Sequence, residues 1–521
     1  MIERVSAPEA RRRLGVYDTP APLASALVRF AGSFADRVPE LVADPSCGSG
    51  RFLIAAADHL VEGGVPPGDV CRRLVGFDLD PGAVADARAE LTEWCRRHHL
   101  ADHHAAAADL RVLDALVELP ADLLGRVDLV VGNPPFLAQT ARATRRTAQQ
   151  RRAVAQRLGS VAPLADTAAL FLLLAVDLLR DGGVATLIQP SSFLSARDAA
   201  AIRERLLDHA RLAGLWGSDE PHFDAEVEVC APVVVVGGRR SPAPVRVVWG
   251  RDAAPADTLD PPVGPASWGP LLARAFGVPV VPAARPGRPS LGTVAAVTAG
   301  FRDEFYALSA AAVDVGDPGY DESAPPLVTV GMIDPARNTW GVRNHRLAGR
   351  QVLAPRVDRS ALRAAAPAVD TWVDRRLRPK VLVATQTRVV EALADPAGRL
   401  VPVTPTLSVE PHVADDVWAV LAVLLTPVVS ARLAAEHLGS GRGPRALRLS
   451  ASSLAAVPLP DGPVSWRRGA VLARRLSQAD GGTRTDLLAR LGRTMADAEP
   501  GLPADVAAEV LEWWMERARR T

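Results

Sequence analysis

Read for the spacing of apolar and polar positions, the first half of the chain switches repeatedly between two patterns. Short runs that are almost wholly apolar end at turn signals, and stretches with helical spacing follow them. LVADP is a short apolar strand ending at a turn, and SGRFLIAAADHL reads as the helix after it. RLVGFDLD is a second strand. PGAVADARAELTEWCRR is a second helix with Pro81 near its start, where a missing N–H is harmless. Asp109 closes a third, weaker segment, and VDLVVG is a fourth strand. TAALFLLLAVDLLRDGG predicts a long apolar helix ending at Gly182-Gly183, VATLIQP a further strand, and VEVCAPVVVVGG a late one. Strands alternating with helices predict an α/β fold with a parallel sheet covered on both faces.

At 521 residues the chain is too long for one ordinary domain, and its 48% apolar content suffices for more than one core. Residues 1–240 carry the alternating pattern. Residues 241–290 are rich in proline (SPAP, DPPVGP, VPVVPAARPGRPS) and read as a linker or an irregular entry into a second domain. Residues 291–461 mix short strands, turns and arginines, and residues 462–521 read as helical, ending in the amphipathic ADVAAEVLEWWMERARR. Cys47, Cys71, Cys95 and Cys230 lack metal-ligand spacing, so no metal is expected and a reducing cytoplasm suits them. The N-terminal stretch has no signal-peptide core, and the apolar run Ala168 to Val176 is too short to span a bilayer, so no membrane partner is expected. A net charge of +1 does not announce a nucleic-acid partner.

Three stretches carry chemistry. In DPSCGSGRFL, residues 44–53, glycines at a strand-to-helix turn let backbone N–H groups approach a ligand; the same residues also suit an ordinary tight connection. In GFDLDP, residues 76–81, an acid at the end of the second strand is placed to accept from ribose hydroxyls. Asp78 is the candidate and Asp80 the helix cap, unless both are caps. In DLVVGNPPFL, residues 128–137, a buried strand stops on a stiff Asn-Pro-Pro corner. Asn133 offers an acceptor oxygen, as does the Pro134 carbonyl, and together they can hold both hydrogens of one exocyclic amine. Phe136 offers a face for a planar base, or else packs in the core.

In this order the three stretches resemble the amino-group DNA methyltransferases, specifically the N6-adenine enzymes whose target-recognition domain follows the catalytic domain. GVYDTP at 15–20 resembles the family's N-terminal cofactor segment, and LFLLLAVDLLRDGGVATLIQPSSFL its helix and strand after the catalytic loop. HFDAEVEVCAPVVVV resembles the later strand with a second base-stacking aromatic. VTAGFRDEFYAL and LRLSASSLAAVPLP resemble the start and end of recognition domains. The resemblance covers residues 11–240 well and 290–461 loosely.

It implies a Rossmann-like domain that binds S-adenosyl-L-methionine, followed by a mixed α/β recognition domain. Tyr17, Thr19 and Pro20 would lie near the methionine end of the cofactor. Asp44, Cys47, Gly48 and Gly50 would form the turn beside it, and Asp78 would hold the ribose. Asp109 is the candidate for the adenine amino group, with Asp114 an alternative because the third segment, HHLADHHAAAADL, is extended. Asn133, Pro134, Pro135 and Phe136 form the catalytic corner, and Phe136 and Phe223 would sandwich the base. The implied substrate is an adenine flipped out of double-stranded DNA. The setting would be restriction–modification or phage defence, with a nuclease or specificity subunit as a separate partner. The same corner also serves N4-cytosine, RNA and protein-glutamine methyltransferases. Arg302, Arg375, Arg376, Arg378, Lys380 and Arg388 are candidate DNA contacts or a solvated face. QTARATRRTAQQRR, residues 139–152, is a phosphate-touching loop or an exposed helix. Trp513 and Trp514 are expected to pack the terminal helix.

Overall fold

The computed structural model describes residues 18–137, 146–158, 166–223, 228–237, 243–262, 267–282, 284–285, 287–437 and 447–518. They fall into two compact units, Met1–Ala275 and Phe276–Thr521.

The first unit is built on strands β1 (Val42–Asp44), β2 (Leu74–Asp78), β3 (Asp109–Val112), β4 (Val127–Gly132), β5 (Leu179–Leu187), β6 (Gln189–Pro190), β7 (Ala210–Gly217), β8 (Val229–Val236), β9 (Val245–Trp249) and β10 (Ala254–Leu259). They form one sheet in the order β10-β9-β7-β8-β5-β4-β1-β2-β3, with β6 paired to β8. From β5 to β3 the pairing is parallel. Strand β8 runs antiparallel to both β5 and β7. Every residue of β1 and β4 is buried, as expected of central strands covered on both faces.

The helices of this unit include α1 (Ala21–Gly32), α2 (Arg51–Glu62), α3 (Pro81–Arg97), α4 (Ala148–Leu158), α5 (Thr167–Leu178) and α6 (Ala200–His209). Helix α3 starts as the sequence predicts: Pro81 opens it and the Asp80 side chain accepts from the Gly82 N–H. Helix α5 is buried almost all round, which accounts for its unbroken apolar run. At the amino end of β4, the buried Asp128 accepts from Arg37 and Arg180 and from the backbone N–H groups of Glu40 and Leu41. Burial alone would raise its pKa, but these donors outweigh it and hold the carboxyl below its usual range.

Three expectations need correction. The apolar helix ends at Leu178 rather than at Gly182-Gly183; the stretch from Leu179 to Gly183 already belongs to β5. Asp109 opens the third strand instead of closing it. Residues 241–290 are not simply a linker, because they supply β9, parallel to β7, and β10, antiparallel to β9. The physical reason is VRVVW, whose Val245, Val247 and Val248 are buried in the sheet despite the prolines around them.

The second unit has a four-stranded antiparallel sheet in the order Ala295–Ala299, Leu407–Pro411, Lys380–Val383, Ala392–Asp395. Lys380 and Asp395 are register partners, and their buried side chains meet at 2.6 Å. Lys380 is therefore withdrawn from solvent and is no DNA contact. The C-terminal helices belong to this unit as well. A Cβ at Gly469, in the helix Pro463–Ser477, would lie 2.9 Å from Ala422 Cβ in the helix Val417–Leu424. Trp514 is fully buried and Trp513 nearly so. No single helix among the described residues is long and apolar enough to cross a membrane.

Candidate active site

In a parallel sheet, ligands collect beyond the carboxyl ends of the strands. At that end of β1 the chain passes through Cys47 and Gly48 to Gly50, which caps α2 with φ +88°. A Cβ on Gly50 would meet Ala87 Cβ at 3.1 Å, so packing and backbone both demand glycine there. Two hydrogen bonds shape the turn. The Cys47 N–H donates to Phe77 O at 2.7 Å, and the Gly48 N–H donates to Asp78 Oδ2 at 2.9 Å. Asp78 Oδ1 accepts from the Asp80 N–H at 2.9 Å, yet each carboxylate oxygen retains a second lone pair. Burial raises the Asp78 pKa against these hydrogen bonds. The Cys47 thiol is pushed up, first by burial and then by Asp44 and Asp78, which disfavours its thiolate.

Asp44 lies deeper. It is 1% exposed, accepts from the Ser46 N–H at 3.0 Å, and is pushed up to about 8, first by burial. A Cβ on Gly132 would lie 2.5 Å from Asp44 Oδ1. The last residue of β4 thus packs directly on the acid that ends β1.

Beyond Gly132 the chain turns through Asn133, Pro134, Pro135 and Phe136. The Gly132 carbonyl accepts from the Ile188 N–H at 3.0 Å, which holds the corner against the end of β5. Asn133 Nδ2 donates to Thr19 Oγ1 at 3.1 Å, and Thr19 is buried. Pro20 is the N-cap of α1, and its carbonyl accepts from the Ala24 N–H. Phe136 and Phe223 face one another with ring centroids 6.4 Å apart and planes at 84°, an edge-to-face pair. The resemblance implies that the two rings sandwich a base; in this structure they meet edge to face.

Two candidates are placed differently. Tyr17 lies outside the described residues. Asp109 is at the wrong end of β3. The parallel register pairs Val75 with Asp109 and Asp78 with Val112, so Asp109 points back toward the amino end of the sheet. Its carboxylate is held by Arg111, whose Nε donates to Asp109 Oδ1 at 2.9 Å. Asp114, just past Val112, is on the site's side. The Leu113 N–H donates to Asp78 O at 2.9 Å, tying the two strand ends together.

Two further contacts escaped the sequence reading. Gln150 Nε2, in α4, donates to Asp114 Oδ2 at 3.0 Å. Residues 139–145 of the stretch expected to touch phosphates lie outside the described residues. Within the remainder Arg146 is buried, while Arg151 and Arg152 are exposed. Asp166, the N-cap of α5, accepts from the Ala168 N–H and also from the Leu137 N–H. An Asp before an apolar helix signals a cap, but nothing in the sequence shows that it also reaches back across 29 positions.

Comparison with known proteins places this geometry. Residues 2–234 match the family model described as N-6 DNA Methylase. The type IIL restriction-modification enzyme MmeI, solved in complex with DNA, superposes with a TM-score of 0.62 at 12% identity, over 99% of this chain and 80% of that one. The DrdV–DNA complex superposes with a TM-score of 0.54 at 12% identity, over 91% of this chain and 58% of that one. At such identities the likeness to solved structures is one of fold, a Rossmann-like methyltransferase unit followed by a further domain. The site described above lies within residues 2–234, the part of this chain that is similar to the N-6 DNA methylase family.

Proposed function

We propose that the chain is a site-specific DNA methyltransferase that transfers a methyl group from S-adenosyl-L-methionine to the N6 amino group of a flipped-out adenine. The observation that carries this reading is the meeting of Asn133 with Thr19 beside the Phe136–Phe223 pair. An amine-binding corner, a stretch of the N-terminal segment and two aromatic faces converge at one strand end. That strand end packs on Asp44, next to the glycine turn.

The residues fit the cofactor. Ser46 Oγ, in the turn, is buried without a hydrogen-bond partner. Asp78 and Asp114 stand at the carboxyl ends of neighbouring strands, placed for a ribose and for an exocyclic amine. Asp114 accepts from the Leu116 N–H on one oxygen and on the other from the primary amide of Gln150, the side-chain group closest in kind to adenine's own amine. When bound, S-adenosyl-L-methionine supplies an electrophilic methyl group on a sulfonium, so neither a covalent nucleophile nor a metal is required of the protein. Asn133 Oδ1 and the Pro134 carbonyl accept the two amine hydrogens. That draws the nitrogen toward tetrahedral geometry and makes its lone pair available; its surplus proton then leaves to solvent. Phe136 and Phe223 offset the cost of unstacking, since aromatic stacking contributes roughly 1–3 kcal/mol per base.

The second unit would supply sequence recognition, and a separate nuclease or specificity subunit would complete a restriction–modification or phage-defence system. The test is methylation mapping of genomic DNA from cells carrying the wild-type chain or Asn133→Ala. N6-methyladenine at one short motif, lost in the variant, supports the reading. Methylcytosine would keep the mechanism and change the base. Absence of DNA methylation by a chain that binds the cofactor would move the substrate to RNA or protein.

A further inference from the structure

The residue after Phe136 is held in two directions. The Leu137 N–H donates to Asp166 Oδ1 at 3.2 Å, and the Leu137 carbonyl accepts from the Thr167 N–H at 3.3 Å. The same Asp166 oxygen accepts from the Ala168 N–H at 3.0 Å. One carboxylate oxygen thus binds the exit of the catalytic corner and the first turn of α5 together. Helix α5 is a rigid anchor. Ala168 to Ala175 are buried without a break, and the fully buried Gln189 donates from Nε2 to the Ala168 carbonyl at 3.0 Å. Gln189 lies two residues beyond the end of β5, so the anchor reaches the strand beside the corner. Between Gly132 and Leu137 the two prolines have no N–H to give. The four residues between them, Asn133 to Phe136, are tied at one end by Gly132 and at the other by Leu137, with Asn133 also bonded to Thr19.

We propose that Asp166 is a positioning residue for methyl transfer. Resting on the function proposed above, it fixes where the corner leaves the site, and so where the Pro134 carbonyl and the Phe136 ring stand relative to the amine. Asp166 touches neither substrate nor cofactor in this role; it acts through Leu137. An N-cap alone is a common device for stability, so the test has to separate the two duties.

Asp166→Ser does so. A serine hydroxyl is a good N-cap, but its oxygen sits one bond nearer the backbone and gives up the reach to Leu137. Asp166→Asn keeps an acceptor at the native distance. The measurements are kcat and KM on DNA, the melting temperature, and the affinity for S-adenosylhomocysteine. Expected is a kcat about 10- to 100-fold lower in Asp166→Ser, the scale of a misplacement near 1 Å, with melting temperature and cofactor affinity close to wild type. Asp166→Asn should recover most of the rate. Full kcat in Asp166→Ser overturns the proposal, as does a loss of kcat that only tracks a loss of stability across both variants. A wild-type chain that binds cofactor but transfers no methyl group to DNA would overturn the proposed function, and this proposal with it. The wild-type control keeps the two failures apart.

Discussion

Asn133 and Thr19, 114 positions apart, share a hydrogen bond in which the asparagine amide nitrogen is the donor. The bond commits one end of the amide to the N-terminal segment and assigns the acceptor role to the other. Thr19→Val keeps the size and removes the acceptor. Its kcat is expected to fall about tenfold, the equivalent of about 1.4 kcal/mol, while Thr19→Ser stays near wild type. Equal rates for the valine variant and the wild type would show that the amide needs no such partner.

The two aspartates around β3 make a clean contrast. Asp114→Ala removes a carboxylate at the site's end of the strand. The affinity for S-adenosylhomocysteine should drop about 10- to 100-fold, as for a lost hydrogen bond to a charged group. Asp109→Ala removes only a partly exposed ion pair with Arg111 and should leave that affinity unchanged. Titration calorimetry on both variants reads the difference, and the opposite ranking would return the role to Asp109.

Gly132 joins the corner to the buried acid below it. A methyl group there would lie 2.5 Å from Asp44 Oδ1 and 3.2 Å from Leu187 Cδ2. Gly132→Ala is expected to cost about 1–3 kcal/mol of stability, the usual penalty for overpacking. Chemical denaturation measures it. A variant as stable as the wild type would mean that Asp44 has room to move.

A buried carboxyl away from the site sets a pH dependence. Glu391 is 6% exposed and is pushed up to about 8, first by burial and then by Asp334, with Arg343 acting in the other direction. In the unfolded chain it ionises in the ordinary carboxylate range. Between that range and pH 8 the folded state holds a proton that the unfolded state has lost, so stability falls as pH rises. Glu391→Gln removes this contribution. Its melting temperature should decline less steeply than the wild type's between pH 5 and pH 8. Parallel curves would show that Glu391 ionises normally.

Much of this was legible in the sequence, for reasons that particular residues make plain. VDLVVG is buried on both faces, so its apolar run has sharp ends and the corner at Asn133 stands out. Asp80 and Pro81 carry local capping chemistry and needed no tertiary information. The misreadings share another origin. Asp109 opens a four-residue strand and Asp114 follows it, and only the strand's pairing with β2 shows which end faces the site. The run from Ala168 to Leu179 is apolar but for Asp177, so composition does not show where helical spacing gives way to extended spacing at Leu178. Lys380 was taken for a surface cation because its partner, Asp395, lies 15 positions on and opposite it only in the folded sheet. The brace from Asp166 to Leu137 is likewise a long-range contact, which no local pattern encodes.

The pair of hydrogen bonds between Leu137 and the start of α5 also bears on how the corner keeps its register. Leu137 and Asp166, 29 positions apart, are in direct hydrogen-bond contact. The entropic cost of closing a flexible loop grows slowly, by about 0.6 kcal/mol for each doubling of its length. The corner at Asn133–Phe136 and the start of α5 are therefore joined directly, whatever the length of the chain between Leu137 and Asp166. Register at the corner is thus set by a contact local in space rather than by the intervening sequence.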